Sequence, residues 1–572
     1  TITLSSEAGY GAVFGTLGVV TLLTLGFFAL QSSKKLVEIA GKSVEAAKET
    51  YLSARNSQGA VSLTLSYFVS GLGAWVIFAA PEAAVIGGSF ALAGYALSTA
   101  FPLLLFGLIA PAMRKNVPHG FTQNEYVVSR FGPYVAGVWA CVSMFYMFLY
   151  LVAELASAGT LASQLSLIPI MEKTFWEGDN VFAPMPLGPI LGVSLITLVY
   201  TAIGGLPVSI LTDRVQGAGI LPLVAIIVIG AYAMAGGGDS SRFAEVAGHG
   251  VHPLYPDTDY GNSIAIAISL MLGVTCANLV HAGYWQRVWA AESNKAVKIA
   301  TYLSALLSVF VMLMVGMIGW IAYSHYGANM AVGGAFEIAW LAVPWIVRDF
   351  MGEGWSTLVI ILGIGMIAST ADTLQSAMTA LLWPLADRVG SLIPMMASQP
   401  AKMGFVIVSM VLINVPAIII ALSGQSILQY FLLADLCAAV VVVPLLLGLW
   451  DRTHPMAALA GSIAGAVTLV VVYAVGEDYD EGYDMLVKTQ GGIFGRSATY
   501  AFCLTPFVAG LVTVGLSLAV PGYKFEGYKT AGTSTAQGGA VAAAVPRQAK
   551  SAIPSAQSGA ETEVEVMSFS SC

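Results

Sequence analysis

The sequence predicts an all-α polytopic membrane protein. Of its 572 residues, 57% are hydrophobic and only 10% are charged, against roughly 25% charged in a soluble domain. Thirteen apolar stretches are long enough to cross a hydrocarbon core about 30 Å thick. The lysines and arginines crowd onto alternate connecting loops. So few charges cannot clothe a soluble particle of this length, which excludes a soluble enzyme, a nucleic-acid binder and a disordered scaffold.

The stretches are 9–30, 62–86, 89–112, 133–167, 186–205, 215–236, 262–285, 299–326, 355–383, 403–423, 427–450, 455–475 and 499–520. The segment 331–350 is shorter and carries Glu337, Arg348 and Asp349, so it reads as an interfacial helix. The first stretch lacks a basic leader and a small-residue cleavage site, so a retained span is expected rather than a signal peptide. Placing the N-terminus outside puts 19 of the 24 Lys and Arg on the cytoplasmic side. The five that face out are Lys173, Arg242, Arg348, Lys488 and Arg496. That bias predicts an outside N-terminus and a cytoplasmic C-terminus, the expected location being the plasma membrane. From residue 525 onward Ala, Gly, Ser, Thr and Gln dominate without apolar periodicity, which predicts a disordered tail. Cys141, Cys276, Cys437, Cys503 and Cys572 show no metal-ligand spacing and read as small hydrophobes.

Six ionisable residues fall in or beside these stretches: Glu82, Glu154, Asp213, His281, Asp372 and Asp435. A charge at the bilayer centre costs about 2.5–3.5 kcal/mol on insertion scales, so each needs a partner, a cavity or a proton. In the second stretch, Ser70-Gly71-Leu72-Gly73-Ala74-Trp75 sets two glycines around one residue, with Pro81 following. Glycines there serve close helix packing or mark an interrupted helix. An interruption frees carbonyls, tolerated in lipid only where they line a cavity or bind an ion. In the ninth stretch, Ser369, Thr370, Asp372 and Thr373 place four oxygen-bearing side chains within five residues. Hydroxyls can bond back to carbonyls one turn earlier, but such a density of oxygen with little formal charge also suits a hard monovalent cation.

With these residues in view, the chain resembles the sodium/solute symporter family. Tyr200-Thr201-Ala202-Ile203-Gly204-Gly205 and Thr212-Asp213-Arg214-Val215-Gln216 are similar to its YT-x-x-GG and TD-x-x-Q pattern. Thr122-x-x-Glu125-Tyr126 with Arg130-Phe131-Gly132 resembles its motif before the fourth span. Gln286-Arg287 followed by Ala290-Ala291-Glu292-Ser293 resembles its motif after the seventh. The order and spacing hold over roughly residues 10–450.

The resemblance implies a core of two inverted five-helix repeats, spans 2–6 and 7–11, with the first helix of each repeat broken. It divides the chain into a first span (1–30), a cytoplasmic loop (31–61), a transport core (62–450), two accessory spans (451–524) and the tail (525–572). It implies a secondary active symporter, not an enzyme, coupling inward Na⁺ movement to uptake of a small polar organic solute. Carried over, the Na⁺ ligands are the carbonyls of Val69, Leu72 and Met366 and the hydroxyls of Ser369 and Thr370, with Asp213 a candidate on the inner ion path. Trp75, Glu154, Asn278, His281 and Trp285 are the expected solute-binding residues. Glu82, Glu154 and Asp372 are candidates for a coupled proton. The chain departs from the sodium/proline branch, which has an aspartate at the position of Gly71, an aromatic pair at Val274 and Asn278, and glycine at Glu82. Tyr284-Trp285-Gln286-Arg287 looks more like the urea symporters of fungi and plants, so urea, an amide or an amino acid is the expected solute. A proton-coupled symporter of the same fold, a channel and a membrane sensor are the alternatives.

Overall fold

Apolar runs satisfy their own backbone only as helices, and helices are what the chain forms. The computed structural model describes residues 3–39, 44–169, 185–251, 260–330, 339–423, 427–476 and 496–525. In chain order the helices are α1 (Ser6–Ile39), α2 (Val44–Ser53), α3 (Ala60–Gly71), α4 (Trp75–Asn116), α5 (Gln123–Phe131) and α6 (Pro133–Leu165). Next come α7 (Leu187–Ala235), α8 (Ser240–His249), α9 (Tyr260–Val280), α10 (Ala282–Ala290), α11 (Asn294–Tyr326) and α12 (Ala342–Ile346). They are followed by α13 (Glu353–Leu392), α14 (Gln399–Ala421), α15 (Ile427–Leu447), α16 (Pro455–Gly476) and α17 (Arg496–Leu518). Extended pairing among the described residues is limited to two isolated bridges.

Eleven of these helices are long and apolar enough to cross a membrane. The difference from thirteen expected stretches has a physical source. At 1.5 Å per residue, the 42 residues of α4 measure about 63 Å and the 49 of α7 about 74 Å, each roughly twice the hydrocarbon thickness. Both run through a glycine with non-helical backbone: Gly88 (φ 61°, ψ −152°) in α4 and Gly205 (φ 57°, ψ −147°) in α7. Each is thus two helices joined at a bend. Conversely, one expected stretch is split between α3 and the first part of α4.

Two halves repeat one pattern. The first opens on a helix interrupted at residues 72–74 and continues through α4, the short α5, the long α6 and the two parts of α7. The second opens on a helix interrupted at His281, between α9 and α10, and continues through α11, the short α12, the long α13, α14 and α15. Five is odd, so the second half enters from the opposite face and the repeats are inverted. Helices α3, α4, α9 and α11 pack into one bundle; α6, α7, α13 and α14 form a frame beside it. One buried apolar core runs through both.

Outside the core, two connections take helical form. The connection 31–61 contains helix, because α1 runs on to Ile39 and the good helix formers of Val44-Glu45-Ala46-Ala47-Lys48 begin α2. The interfacial segment 331–350 appears, where described, as α12 closed by a π turn over Val347–Met351. The expected tail lies outside the described residues from 526 onward. Helix α2 is tied to the frame by Lys48, which shares Asp387 with Lys402 at 2.9 Å on each side.

At Gly205 the backbone lies where only glycine is unstrained, and an added Cβ would sit 2.4 Å from the Tyr51 carbonyl oxygen. Gly205→Ala is therefore expected to destabilise the protein by about 1–3 kcal/mol. Gly219→Ala, in open space on the same helix, should leave stability unchanged or raise it. Thermal unfolding of the two variants in detergent measures the difference; equal melting points would contradict the strained bend.

Candidate functional site

The interruption after Gly71 is the centre of the site. Leu72 leaves helical geometry (φ −114°, ψ 79°), although its N–H still reaches the Phe68 carbonyl at 3.2 Å. Beyond it the ladder fails. The Ala74 N–H turns to a Glu154 carboxylate oxygen at 3.2 Å, and the Val76 N–H bonds the Gly73 carbonyl. Among the described residues no donor takes the carbonyls of Val69, Ser70, Gly71 or Leu72. Both glycines make room for side chains from other helices. A Cβ at Gly71 would lie 1.7 Å from the Tyr284 hydroxyl, and one at Gly73 would lie 1.7 Å from Glu154 Oε1. Tyr284 thus fills the space that an aspartate at position 71 would need.

Facing this break is α13, an unbroken helix, so the Met366 carbonyl stays inside a regular turn. Ser369 and Thr370 are buried on it. The Ser369 hydroxyl donates to Asp213 Oδ1 at 2.6 Å, which leaves its lone pairs for another partner. Thr370 Oγ1 is buried without a partner. Ser66, one turn before the freed carbonyls, also donates to Asp213. One carboxylate therefore draws α3 and α13 together. Asp213 sits directly against the candidate ion ligand Ser369.

Asp213 is held in turn by Arg287 of α10 at 2.7 Å, and both side chains are fully buried. Arg287 also donates to Ser66 Oγ (2.7 Å), the Gly283 carbonyl (2.8 Å) and Thr373 Oγ1 (2.9 Å). This guanidinium joins α3, α7, α10 and α13 at one point. Asp372 lies alongside in a nest of three hydroxyl donors: Tyr200 at 2.9 Å, Ser209 at 2.7 Å and Thr212 at 2.6 Å. Three donors leave it well satisfied as an acceptor, and all come from α7.

On the other side of the break lies a wall of rings. Trp75 contacts Tyr95 (centroids 5.5 Å apart) and Phe431 (5.6 Å). Phe431 meets Tyr150 at 4.4 Å, Tyr150 meets Tyr146 at 4.4 Å, and Tyr146 meets His281 at 5.9 Å. Of the expected solute residues, Trp75, Glu154 and His281 converge here. His281 caps α10 by accepting the Gly283 N–H on Nδ1 at 3.0 Å, and its Nε2 is buried without a partner. Asn278, one turn before it, is buried at the end of α9. Trp285 is packed elsewhere: its indole N–H donates to the Leu279 carbonyl at 2.8 Å, and its ring lies among Phe106, Tyr126 and Trp289.

Sequence reading passed over Tyr150, Phe431 and a role for Asp435. Their signal is spacing: Tyr150 and Glu154, and Phe431 and Asp435, are four apart and so share helix faces. Tyr150 donates to Asp435 Oδ1 at 2.9 Å across α6 and α15.

Against known proteins, residues 51–465 match the Sodium:solute symporter family. A relative from Candida albicans (strain SC5314), the spermidine transporter DUR31, is 26% identical over 410 residues, covering 70% of each chain. A Na⁺-coupled sialic acid symporter, solved in a substrate-bound outward-open state, shares the fold with a TM-score of 0.65 at 17% identity, over 91% of this chain and 98% of that one.

Removing one member of a fully buried ion pair leaves an uncompensated charge, a loss of about 3–5 kcal/mol. Arg287→Gln alone should therefore lower the melting temperature sharply. Adding Asp213→Asn should recover part of the loss. A double-mutant cycle in detergent reads the coupling; strictly additive effects would show that the pair does not hold these helices together.

Proposed function

The chain belongs to the sodium:solute symporter family, a family of transporters rather than enzymes, and from that premise we propose that it couples inward Na⁺ movement to uptake of a small polar organic solute by alternating access. Na⁺ sits between the α3 break and α13, on the carbonyls of Val69, Leu72 and Met366 and the hydroxyls of Ser369 and Thr370. The observation that carries this reading is a pair of unmet needs. The carbonyls of residues 69–72 have no donor among the described residues, and the Thr370 hydroxyl has no partner. Acceptors without donors in a bilayer call for a cation. Val69 and Leu72 are three apart, as are Met366 and Ser369, so each set presents its oxygens from one face. Asp213 supports the site from behind, through Ser369.

The solute binds beside the ion, against Trp75, Glu154, Asn278 and His281. Urea, amides and amino acids are the candidates that the sequence raises for a site that both donates and accepts; the Candida relative's substrate adds an organic amine to these. Division of α4 and α7 at their glycines, with α3 joined to the first part of α4, gives thirteen crossings with the N-terminus outside and the C-terminus in the cytoplasm of a plasma-membrane protein. Binding of ion and solute together shifts the inward–outward equilibrium, because each state is favoured only by what binds it better. Asp372, Glu82 and Glu154 are the groups through which a proton would accompany or replace Na⁺.

The test is initial uptake into liposomes against Na⁺ concentration for wild type, Ser369→Ala, Thr370→Ala and the double variant. Each lost hydroxyl–ion contact is worth about 1.5–3 kcal/mol, roughly 10- to 150-fold in Na⁺ affinity. The helix should persist, because alanine is the better helix former. Thr370→Ser, which keeps the oxygen, should be mild. An unchanged Na⁺ half-saturation in the double variant would overturn the site, and uptake driven by a pH gradient without Na⁺ would assign the coupling to protons.

A further inference from the structure

Three carboxylates lie around the ring wall, and each leaves one oxygen unmet. Glu154 accepts the Ala74 N–H on Oε2, while its Oε1 is buried without a partner. Asp435 accepts the Tyr150 hydroxyl on Oδ1, while its Oδ2 is buried without a partner. Glu82 Oε2 is buried without a partner as well. All three residues are buried, Glu154 and Asp435 completely. Among the described residues no lysine, arginine or histidine pairs with any of them. Arg287, the buried cation near the site, spends its donors on Asp213, Ser66, Gly283 and Thr373.

The arrangement is a line rather than a cage. Glu154 stands one turn from Tyr150, Tyr150 bonds Asp435, and Tyr95 meets Trp75 at 5.5 Å between ring centroids. Glu82 is two turns along α4 from Trp75, about 10 Å by helix rise. The three carboxylates do not converge on a point that could hold a metal ion. The rings of Tyr95, Trp75, Phe431 and Tyr150 form a continuous chain of contacts that ends on the tyrosine bonded to Asp435.

A ligand for such a site must be rich in donors, extended, and apolar between its polar points. Ammonium groups donate and never accept. Aromatic rings attract cations and cover methylenes. A zwitterionic amino acid would bring a carboxylate of its own and find no free cation to meet it. Protonating the carboxyls does not remove the need, since each new O–H would itself require an acceptor.

We infer that Glu154, Asp435 and Glu82, with the rings of Trp75, Phe431, Tyr150 and Tyr95, form a binding site for a linear organic polyammonium, one ammonium to each carboxylate and the methylenes over the rings. This assigns the solute of the carrier proposed above, and so rests on that reading.

The experiment uses the full chain in liposomes under an inward Na⁺ gradient and follows labelled spermidine, with butylamine, 1,4-diaminobutane and urea as competitors. Uptake should saturate, and competition should strengthen with charge number: diamine above monoamine, with urea ineffective. Glu82→Gln and Asp435→Asn should each raise the spermidine half-saturation roughly 10- to 150-fold and narrow the preference for triamine over diamine. A merely structural role would weaken all amines alike, and that result would overturn the assignment. Na⁺-driven uptake of urea that amines do not inhibit would overturn it while leaving symport intact. Spermidine uptake with the expected competition but indifferent to Na⁺ would leave the site and overturn Na⁺ coupling. If no solute is transported, thermal stabilisation in detergent decides: spermidine should raise the melting temperature of wild type and raise that of Glu82→Gln much less, and no stabilisation of wild type would overturn the site.

Discussion

Lipid offers no hydrogen bonds, so every interruption of a helix in a bilayer must be answered by protein, water, ion or solute. That constraint organises this core. Its two interruptions, at residues 72–74 and at His281, expose backbone groups, and the surrounding residues are those that answer them. Glu154 receives the Ala74 N–H and His281 receives the Gly283 N–H. Two donors are thus met by side chains, while among the described residues the carbonyls of residues 69–72 have no donor.

The charges divide along the same lines. Asp213 is neutralised by Arg287, and its other contacts are hydroxyls. This pair is structural chemistry: it bridges the bundle and the frame, and a partner removed from it leaves a bare charge in low dielectric. Asp372 is answered by three hydroxyls without a counter-charge. Glu82, Glu154 and Asp435 have neither a cation nor a full set of donors. Buried carboxylates of similar sequence context thus fall into three classes, distinguished by which neighbours complete them. Glu154 and Asp435 of the unpaired class meet the interrupted helix and the Tyr150 hydroxyl, and the paired Asp213 holds Ser66 and Ser369 on the two helices that face each other at the break.

Such a helix is also suited to movement. Glycines at 71 and 73 admit Tyr284 and Glu154 to within contact of the backbone, so a shift of α10 or α6 is felt directly at the break. Arg287 ties α10 to both α3 and α13. The break and the aromatic wall are therefore carried by the same connected elements, since Trp75 opens α4 directly after the interruption. Coupling through contiguous packed elements of this kind is the physical form that ion–solute linkage takes in a carrier.

By itself the sequence determined the fold class and pointed to the interrupted helix and the oxygen-rich segment facing it, because these are written locally. Apolar length sets the spans, charge bias separates the loops, Gly71 and Gly73 mark a break, and the hydroxyl-rich run at Ser369–Thr373 marks its counterpart. What only the tertiary structure decided is which distant residues complete these elements. Asp435 is 281 positions from Glu154 in the sequence, and only the packing of α6 against α15 lets Tyr150 join them. Trp285, beside a recognisable motif, turned into an aromatic stack because its N–H found the Leu279 carbonyl. Spacing along one helix reports a shared face; it cannot report what that face meets, since the meeting is set by how separate helices bury their surfaces and pair their polar atoms.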